Sequence, residues 1–201
     1  MATITRLSQL DPDQTYSYAD YLTWQFEETI ELIKGKIMPM SPAPNVDHQR
    51  ISARLTAKLY NFFGRGQCQI FAAPFDVRLY NRKKSVLASK DVHTVVQPDL
   101  CVICHPEILD EQGCNGAPDW IIEILSKGNS KREMQTKYEL YQEAGVSEYW
   151  LVYPYEQAVH QFVLDKDSCR YRLQAMYSSS DTAVPRLFPD LVLDLSEVFG
   201  S

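Results

Sequence analysis

The sequence has no uninterrupted apolar run long enough to cross a bilayer, which takes roughly 20 consecutive residues. Its start, 1–10, also lacks a basic segment followed by an apolar stretch, the mark of a secretory signal. These two absences predict a cytoplasmic protein without a membrane partner.

Cysteine is sparse and odd in number, with five residues at positions 68, 101, 104, 114 and 169. In a chain without a secretion signal, this pattern favours free thiols over a disulfide framework. Cys101 and Cys104 would point to opposite faces of a strand, and no second cysteine pair or histidine cluster completes a zinc site. We interpret both as small residues packed among apolar neighbours.

Basic residues do not outnumber acidic residues in this chain. The chain has 20 Lys and Arg against 26 Asp and Glu, a net charge of −6. Nucleic acid held by bulk electrostatics needs concentrated Lys and Arg, so any such contact must be local. Candidate patches are Arg82 to Lys84 and Lys127 with Lys131 and Arg132, although short charged runs are more often solvated turns.

The 201 residues, 45% of them hydrophobic, fit one domain over 1–201 with an extended N-terminal arm over 1–14. No internal repeat or linker divides the chain. Hydrophobic periodicity and turn residues predict helices at 17–26, 47–63 and 130–144. They predict strands at 29–33, 36–40, 69–80, 95–104, 119–125, 148–153, 158–164 and 170–176. The fold class is α/β or α+β, a mixed sheet with helices packed on it.

Glu123 stands in the middle of 119–125, an almost continuously apolar stretch typical of a strand buried on both faces. An unpaired ionised carboxylate there would cost several kcal/mol, so it should be paired, hydrogen-bonded or bound to a metal. The pattern alone leaves a functional role and a structural ion pair equally open.

Lys137 lies on the inward stripe of the predicted helix 130–144, with Met134, Tyr138 and Tyr141 at offsets of three and four. A lysine can also extend along an apolar surface with its ammonium in water. A buried Glu123 and an inward Lys137 on consecutive elements nevertheless suggest one shared site.

Asp99 adds a second carboxylate, directly after Pro98 and before an apolar strand. Two carboxylates can hold a hard cation such as Mg²⁺, and an ammonium group can orient the attacking water and offset phosphate charge. The three residues together suit hydrolysis of a phosphodiester.

The chain resembles the Uma-type family of restriction-endonuclease-like proteins, long a domain of unknown function, within the PD-(D/E)XK nuclease superfamily. The resemblance spans most of the chain and rests on ordered matching stretches. They are ELIKG at 31–35, SP at 41–42 with His48, APFDV at 73–77, QPD at 97–99, GAPD at 116–119, EILS at 123–126, KYELY at 137–141 and AGVSEYW at 144–150.

The resemblance implies a mixed central sheet flanked by helices, with Asp99, Glu123 and the Ile124 carbonyl as ligands of Mg²⁺, for which Mn²⁺ could substitute. Position 125 is Leu where the superfamily has the Lys of Glu-x-Lys, and Lys137 of the next helix is expected to replace that lysine. Two further departures are Lys127, where Pro is usual, and Glu133, where Asp is common.

Four further residues have supporting roles in this interpretation. Glu31 is either a further metal ligand or an exposed hairpin carboxylate. His48 could touch a phosphate or a metal-bound group, although a satisfied histidine near a helix start is the more frequent case. Asp76 either orders the site indirectly, by holding residues that touch the metal or the substrate, or is a simple turn or edge residue. Tyr141 is a supporting residue on the same helix face as Lys137.

The sequence therefore predicts a Mg²⁺-dependent endonuclease that acts on DNA. A homodimer is expected, since closed two-fold assemblies suit the cutting of two strands. One alternative is a nucleic-acid-binding or regulatory protein that kept the scaffold and lost turnover. Another is a protein of different function in which Glu123 and Lys137 form a structural ion pair.

Overall fold

A computed structural model describes residues 4–26, 28–40, 45–64, 66–80, 91–127 and 131–200. Its helices are α1 Tyr18–Tyr21, α2 Val46–Phe63, α3 Lys131–Ala144 and α4 Leu195–Phe199. Its strands are β1 Ile30–Ile33, β2 Lys36–Pro39, β3 Gln69–Ala72, β4 Val77–Arg78, β5 Val95–Val96, β6 Leu100–Ile103, β7 Leu109–Asp110, β8 Gly113–Asn115, β9 Trp120–Ile124, β10 Glu148–Tyr153, β11 Ala158–Asp165, β12 Arg170–Ser178, β13 Thr182–Ala183 and β14 Leu193–Asp194.

Two six-stranded sheets carry the fold. The main sheet has the order β12-β11-β10-β9-β6-β3, in which only β9 and β10 run parallel. The second sheet has the order β2-β1-β5-β4-β8-β7 and contains the parallel pair β4 and β8. The predicted class, a mixed sheet with helices packed on it, is confirmed.

The central strands of the main sheet, β6, β9 and β10, are buried on both faces, because a helix covers each face there. On one face α2 contributes Ile51, Leu55 and Leu59 to a core with Ile122 and Trp150. On the other face α3 contributes Leu140, Tyr141 and Ala144 to a second core. The strands contribute their alternate residues to it, namely Cys101, Ile121, Tyr149 and Leu151. The period of two along each strand assigns neighbouring side chains to opposite cores.

The predicted hairpin is confirmed. Strands β1 and β2 pair in an antiparallel register that ends at Ile33 opposite Lys36. Lys34 and Gly35 between them both have positive φ, 50° and 79°, as a two-residue hairpin turn requires. A Cβ at position 35 would lie 2.2 Å from Thr15 Cγ2, so glycine is needed there for space as well.

The predicted helix 47–63 corresponds to α2, where the Asn45 side chain accepts a hydrogen bond from the His48 N–H at 2.9 Å. Near the end of α2, Phe62 is 41% exposed, whereas its neighbour Phe63 packs on Phe188. The predicted helix 17–26 is also too long, because α1 ends at Tyr21 and Trp24 bridges to Ile4.

Two predicted strands are each divided by a proline, which cannot donate to a strand ladder. The stretch 69–80 contains β3 and β4 with Pro74 between them, and 95–104 contains β5 and β6 with Pro98 between them. As a result β3 and β6 belong to the main sheet, whereas β4 and β5 belong to the second.

The expectation of free thiols throughout is wrong, because Cys68 and Cys104 form a disulfide. These residues flank the antiparallel pair β3 and β6, in which Gln69 lies opposite Ile103, so the register brings them together. The 36 residues that separate Cys68 from Cys104 in the sequence do not indicate that the two form a disulfide. Cys101 is buried as predicted, and burial raises the pKa of its thiol.

The predicted N-terminal arm can be followed from Ile4. It contains the 3-10 helix Leu7–Gln9, and Leu10 is buried in a small core with Tyr16 and Leu32. The assignment of 1–201 to one domain with an arm over 1–14 stays a prediction. No helix in the described parts of the chain is long and apolar enough to cross a membrane.

Glu148 of β10 binds the C-terminal segment to the main sheet through hydrogen bonds. It is fully buried and accepts hydrogen bonds from Trp150 Nε1 and Gln161 Nε2, both at 2.7 Å. Its oxygens also accept from the backbone N–H groups of Arg186 at 3.0 Å and Leu187 at 2.9 Å. Four donors that meet one buried carboxylate satisfy it without a cation.

We expect Glu148→Gln to lower the free energy of unfolding by at least about 2 kcal/mol, because an amide nitrogen cannot accept the hydrogen bonds and leaves buried donors unsatisfied. Urea denaturation followed by circular dichroism measures the change. Glu139→Gln, on the exposed side of α3, is the matched control and should change stability by less than about 0.5 kcal/mol. Equal stabilities of the two variants would contradict this role of Glu148.

Candidate active site

A buried lysine joins two carboxylates from different sheets. Lys137 of α3 places its Nζ 2.9 Å from Glu123 Oε1 and 3.0 Å from Glu31 Oε1. The side chains are 14%, 10% and 4% exposed, respectively, so water screens these charges little. The predicted meeting of Glu123 with an inward Lys137 is therefore present in the structure.

Glu123 reaches the lysine because strand alternation points it towards α3, on the same face as Ile121. Tyr141, one helical turn after Lys137, donates its hydroxyl to Glu123 Oε1 at 2.6 Å. Both donors therefore bind the same oxygen of Glu123. Neither of these two contacts involves the other oxygen, Oε2.

Glu31 lies inside the cluster, and its interpretation as an exposed hairpin carboxylate is wrong. All four residues of β1 are buried, because Ile33 packs in the core under α3 and Leu32 packs on the other face with Leu10 and Tyr16. Besides its ion pair with Lys137, Glu31 Oε1 accepts the backbone N–H of Gln97 at 3.0 Å. Only the assembly of the second sheet on the main sheet brings β1 to this position.

Asp99 is held at both carboxylate oxygens. The backbone N–H of Ile124 donates to Oδ2 at 2.7 Å, and His48 Nε2 lies 3.2 Å from Oδ1. The bond to Ile124, the residue after Glu123, sets the two carboxylates side by side. His48 is buried, so α2 contributes to the site from the opposite face of the main sheet.

Asp76 does not contact the cluster directly. It accepts hydrogen bonds from Gln97 Nε2 at 2.8 Å and from the hydroxyls of Tyr18 at 3.2 Å and Tyr21 at 3.4 Å. Because the Gln97 backbone binds Glu31, Asp76 orders the site through Gln97. Gln97 itself was not among the predicted site residues, although it stands in the QPD stretch before Asp99.

The cluster shifts the proton affinities of its members. Burial raises the pKa of Glu123, the Lys137 ammonium opposes this rise, and the charges of Asp99 and Glu31 add to it, so that the pKa is about 7. Burial disfavours the charged form of Lys137, but Glu123 and Glu31 outweigh it and raise its pKa. The lysine is therefore charged, and the carboxylates around it still repel one another.

The same excess of negative charge acts on His48. Burial alone would lower the pKa of its imidazole, but the hydrogen bond to Asp99 and the charges of Asp99 and Glu123 raise the pKa above its ordinary value. Protonation of His48 thus partly offsets the charge of the neighbouring carboxylates.

These groups line an open cleft of about 730 Å³. Among the described residues, its lining includes five carboxylates and only two cationic side chains, Lys137 and His48. The carboxylates are Glu28, Glu31, Asp99, Glu123 and Glu133. Such a cleft would repel an anionic substrate unless a cation accompanied it.

The donor chemistry fits Mg²⁺. No group of three or more His, Cys, Asp or Glu side chains is placed to hold a metal ion in the described ranges. Mg²⁺, however, is commonly held by one or two carboxylates, with waters and substrate phosphate completing its octahedron. Asp99 and Glu123, adjacent and rich in negative charge, are the pair that suits such an ion.

Of the two predicted basic patches, the one at Lys127, Lys131 and Arg132 lies within the described residues. Arg82, Lys83 and Lys84 lie outside the described residues. Lys127 is exposed just after the cleft residues Leu125 and Ser126, and Lys131 and Arg132 are exposed in the first turn of α3.

Comparisons with known proteins identify the family and the fold of the chain. The family model Uma2, described as "Putative restriction endonuclease", matches residues 18–196. A crystal structure of a putative nuclease belonging to DUF820 from Anabaena variabilis ATCC 29413 is similar in fold, with 23% identity and a TM-score of 0.64 over 91% of this chain and 97% of that chain. A search among curated proteins gave no match.

Replacement of Lys137 tests how strongly the cluster depends on its one buried ammonium. We expect Lys137→Met to lower the free energy of unfolding by roughly 3–5 kcal/mol, because Glu31 and Glu123 lose their shared counter-charge. Urea denaturation in metal-free buffer measures this loss.

Lys131→Met, an exposed change on the same helix, is the control and should leave stability within about 0.5 kcal/mol of the original. Adding Glu31→Gln to Lys137→Met should recover part of the loss, since it removes one of the two repelling charges. If Lys137→Met is as stable as its control, the ion pairs do not hold the site together.

Proposed function

The chain belongs to the Uma2 family of putative restriction endonucleases, and from this membership we propose that it is a Mg²⁺-dependent endonuclease that hydrolyses DNA phosphodiester bonds. One observation carries the proposal: Asp99, Glu123 and Lys137 come together in a single acidic cleft. Mn²⁺ is the expected substitute for Mg²⁺.

The charge of the cleft supports the need for a metal. A DNA phosphate entering it would meet five carboxylates, and the two cationic side chains already pair with three of them. When bound, Mg²⁺ would supply Lewis-acid chemistry, polarising the phosphate and making the coordinated water a stronger acid. Asp99 and Glu123 would hold the ion, and the Ile124 carbonyl and Glu31 are proposed as further ligands.

The residues of the chain have separate tasks in this proposal. Lys137 orients the attacking water with its ammonium protons and offsets charge that develops on the phosphate. Tyr141 and Lys137 bind Oε1 of Glu123, so Oε2 is the oxygen offered to the metal. The Ile124 N–H and His48 keep Asp99 in one orientation, and its oxygens retain lone pairs for an ion.

Asp76 acts at a distance, as a positioning residue. It fixes the side chain of Gln97, whose backbone N–H fixes Glu31, which in turn binds Lys137. Cutting both strands of a duplex would take two copies of the cleft, so a homodimer stays our expectation.

A second candidate function is binding of nucleic acid without cleavage. Lys137 already stands between Glu31 and Glu123, where it neutralises the cluster from within. An internal counter-ion of this kind would let the scaffold persist without a metal. Metal uptake and cleavage, measured separately, distinguish this candidate from the endonuclease.

Metal binding is the first test. Saturating Mg²⁺ or Mn²⁺ should raise the melting temperature by several degrees, because an ion that binds only the folded state at about 100 times its Kd adds roughly 2.7 kcal/mol. Asp99→Asn should abolish the rise, whereas Asp167→Asn, an exposed carboxylate in the β11–β12 turn, should keep it. An equal rise in both variants would place the ion elsewhere.

Cleavage is the second test. The purified chain with Mg²⁺ should nick or cut plasmid DNA, and EDTA should stop it. Glu123→Gln and Lys137→Arg should each reduce the rate by roughly 100-fold or more, since removing one group that stabilises transition-state charge costs this much.

Lys137→Arg retains the positive charge, so its loss of cutting would not be a loss of the ion pairs. Glu139→Gln and Lys131→Arg, exposed on the same helix, should cut at the original rate. If both site variants still cut, the assignment of Glu123 and Lys137 is wrong. If the original chain binds DNA but takes up no metal and never cuts the DNA, the non-cleaving candidate replaces the endonuclease.

A further inference from the structure

Two loops leave the main sheet beside the cleft. Strands β9 and β10 are parallel neighbours, with Ile124 opposite Val152, so their carboxyl ends lie at the same edge. Lys127 follows β9, directly after the cleft residue Ser126, and Tyr155 follows β10 in the turn before β11. Both residues therefore stand at the rim of the cleft.

Lys127, Tyr155 and Asn45 contact one another, and we call them the rim cluster. The Lys127 Nζ lies 4.6 Å from the centroid of the Tyr155 ring. Asn45 Nδ2 donates to the Tyr155 hydroxyl at 2.6 Å. Asn45 also caps α2 through the His48 N–H, and the His48 side chain contacts Asp99, which links the rim cluster to the site.

The rim cluster offers what the cleft floor does not. All three side chains are exposed, Tyr155 by 44%. Lys127 is a cation at the edge of an acidic cleft, where a phosphate next to the reacting one would need a partner. The aromatic ring, tethered at its hydroxyl, gives a base a flat surface on which to stack.

We propose that the rim cluster is a nucleotide subsite, in which Lys127 binds a phosphate next to the scissile one and Tyr155 stacks on the attached base. The inference rests on the proposed DNA substrate. Inside a duplex both faces of a base are covered by its neighbours, so the base on Tyr155 must have left the stack, which costs least for an unpaired nucleotide. The subsite thus selects DNA with an unpaired nucleotide beside the cut, such as an overhang or a single strand.

The test measures DNA binding by the full chain with Ca²⁺ in place of Mg²⁺. The probes are a fluorescent duplex with a three-nucleotide overhang and a blunt duplex of the same paired length. The original chain should bind the overhang more tightly. Tyr155→Leu should weaken overhang binding roughly tenfold with little effect on blunt binding, the range expected for loss of one stacked base.

Lys127→Gln should weaken binding and reduce the slope of log K against log salt by roughly 0.7 to 0.9, the value of one phosphate contact. Lys166→Gln is its control, because Lys166 is exposed beyond the far end of β11, eight residues or roughly 25 Å away. Tyr155→Phe keeps the ring and loses only the bond to Asn45, so it should retain most of the preference for the overhang.

The outcomes separate the subsite from the proposed function. If the original chain cuts DNA with Mg²⁺ but Tyr155→Leu and Lys127→Gln bind both probes as the original does, the subsite is refuted and the nuclease stands. If overhang binding depends on both residues while no DNA is cut, the subsite stands and the nuclease fails. If the original chain binds neither probe, the subsite is refuted as well.

Discussion

The site depends on one physical constraint: a lysine that is buried in a protein must be surrounded by enough negative charge to remain ionised. Lys137 meets it with two carboxylates, Glu31 from the second sheet and Glu123 from the main sheet. The ammonium thus ties α3 and both sheets together at one point. Since two carboxylates and the nearby Asp99 exceed its single charge, the cleft keeps an excess of negative charge.

The topology explains why this contact lies near the rim cluster. Helix α3 connects β9 to its parallel neighbour β10. It must therefore cross one face of the sheet, from the edge where β9 ends to the edge where both strands begin. That crossing carries Lys137 over Glu123. Helix α2 covers the opposite face and delivers His48 to Asp99, so each face supplies one element of the site.

Much of this could be predicted from the residues alone. Glu123 and Lys137 were recognisable because each is charged where the periodicity of its element requires an apolar residue. Glu31 was not, because strand alternation describes one strand and contains no information about the other elements that cover both of its faces. The role of Asp76 through Gln97 and the disulfide between Cys68 and Cys104 were hidden for a related reason, since both depend on pairing between distant strands.

The sequence by itself determined the helices, the strands and the charged residues at apolar positions of those elements, because the periods of helix and strand can be recognised from neighbouring residues. It therefore predicted α2, α3, the β1–β2 hairpin and two members of the buried ion-pair cluster. Tertiary structure alone decided that Glu31 shares Lys137, that Asp99 is held by Ile124 and His48, and that Lys127 meets Tyr155 at the rim. Such contacts follow from strand order and register, which depend on the packing of the whole chain.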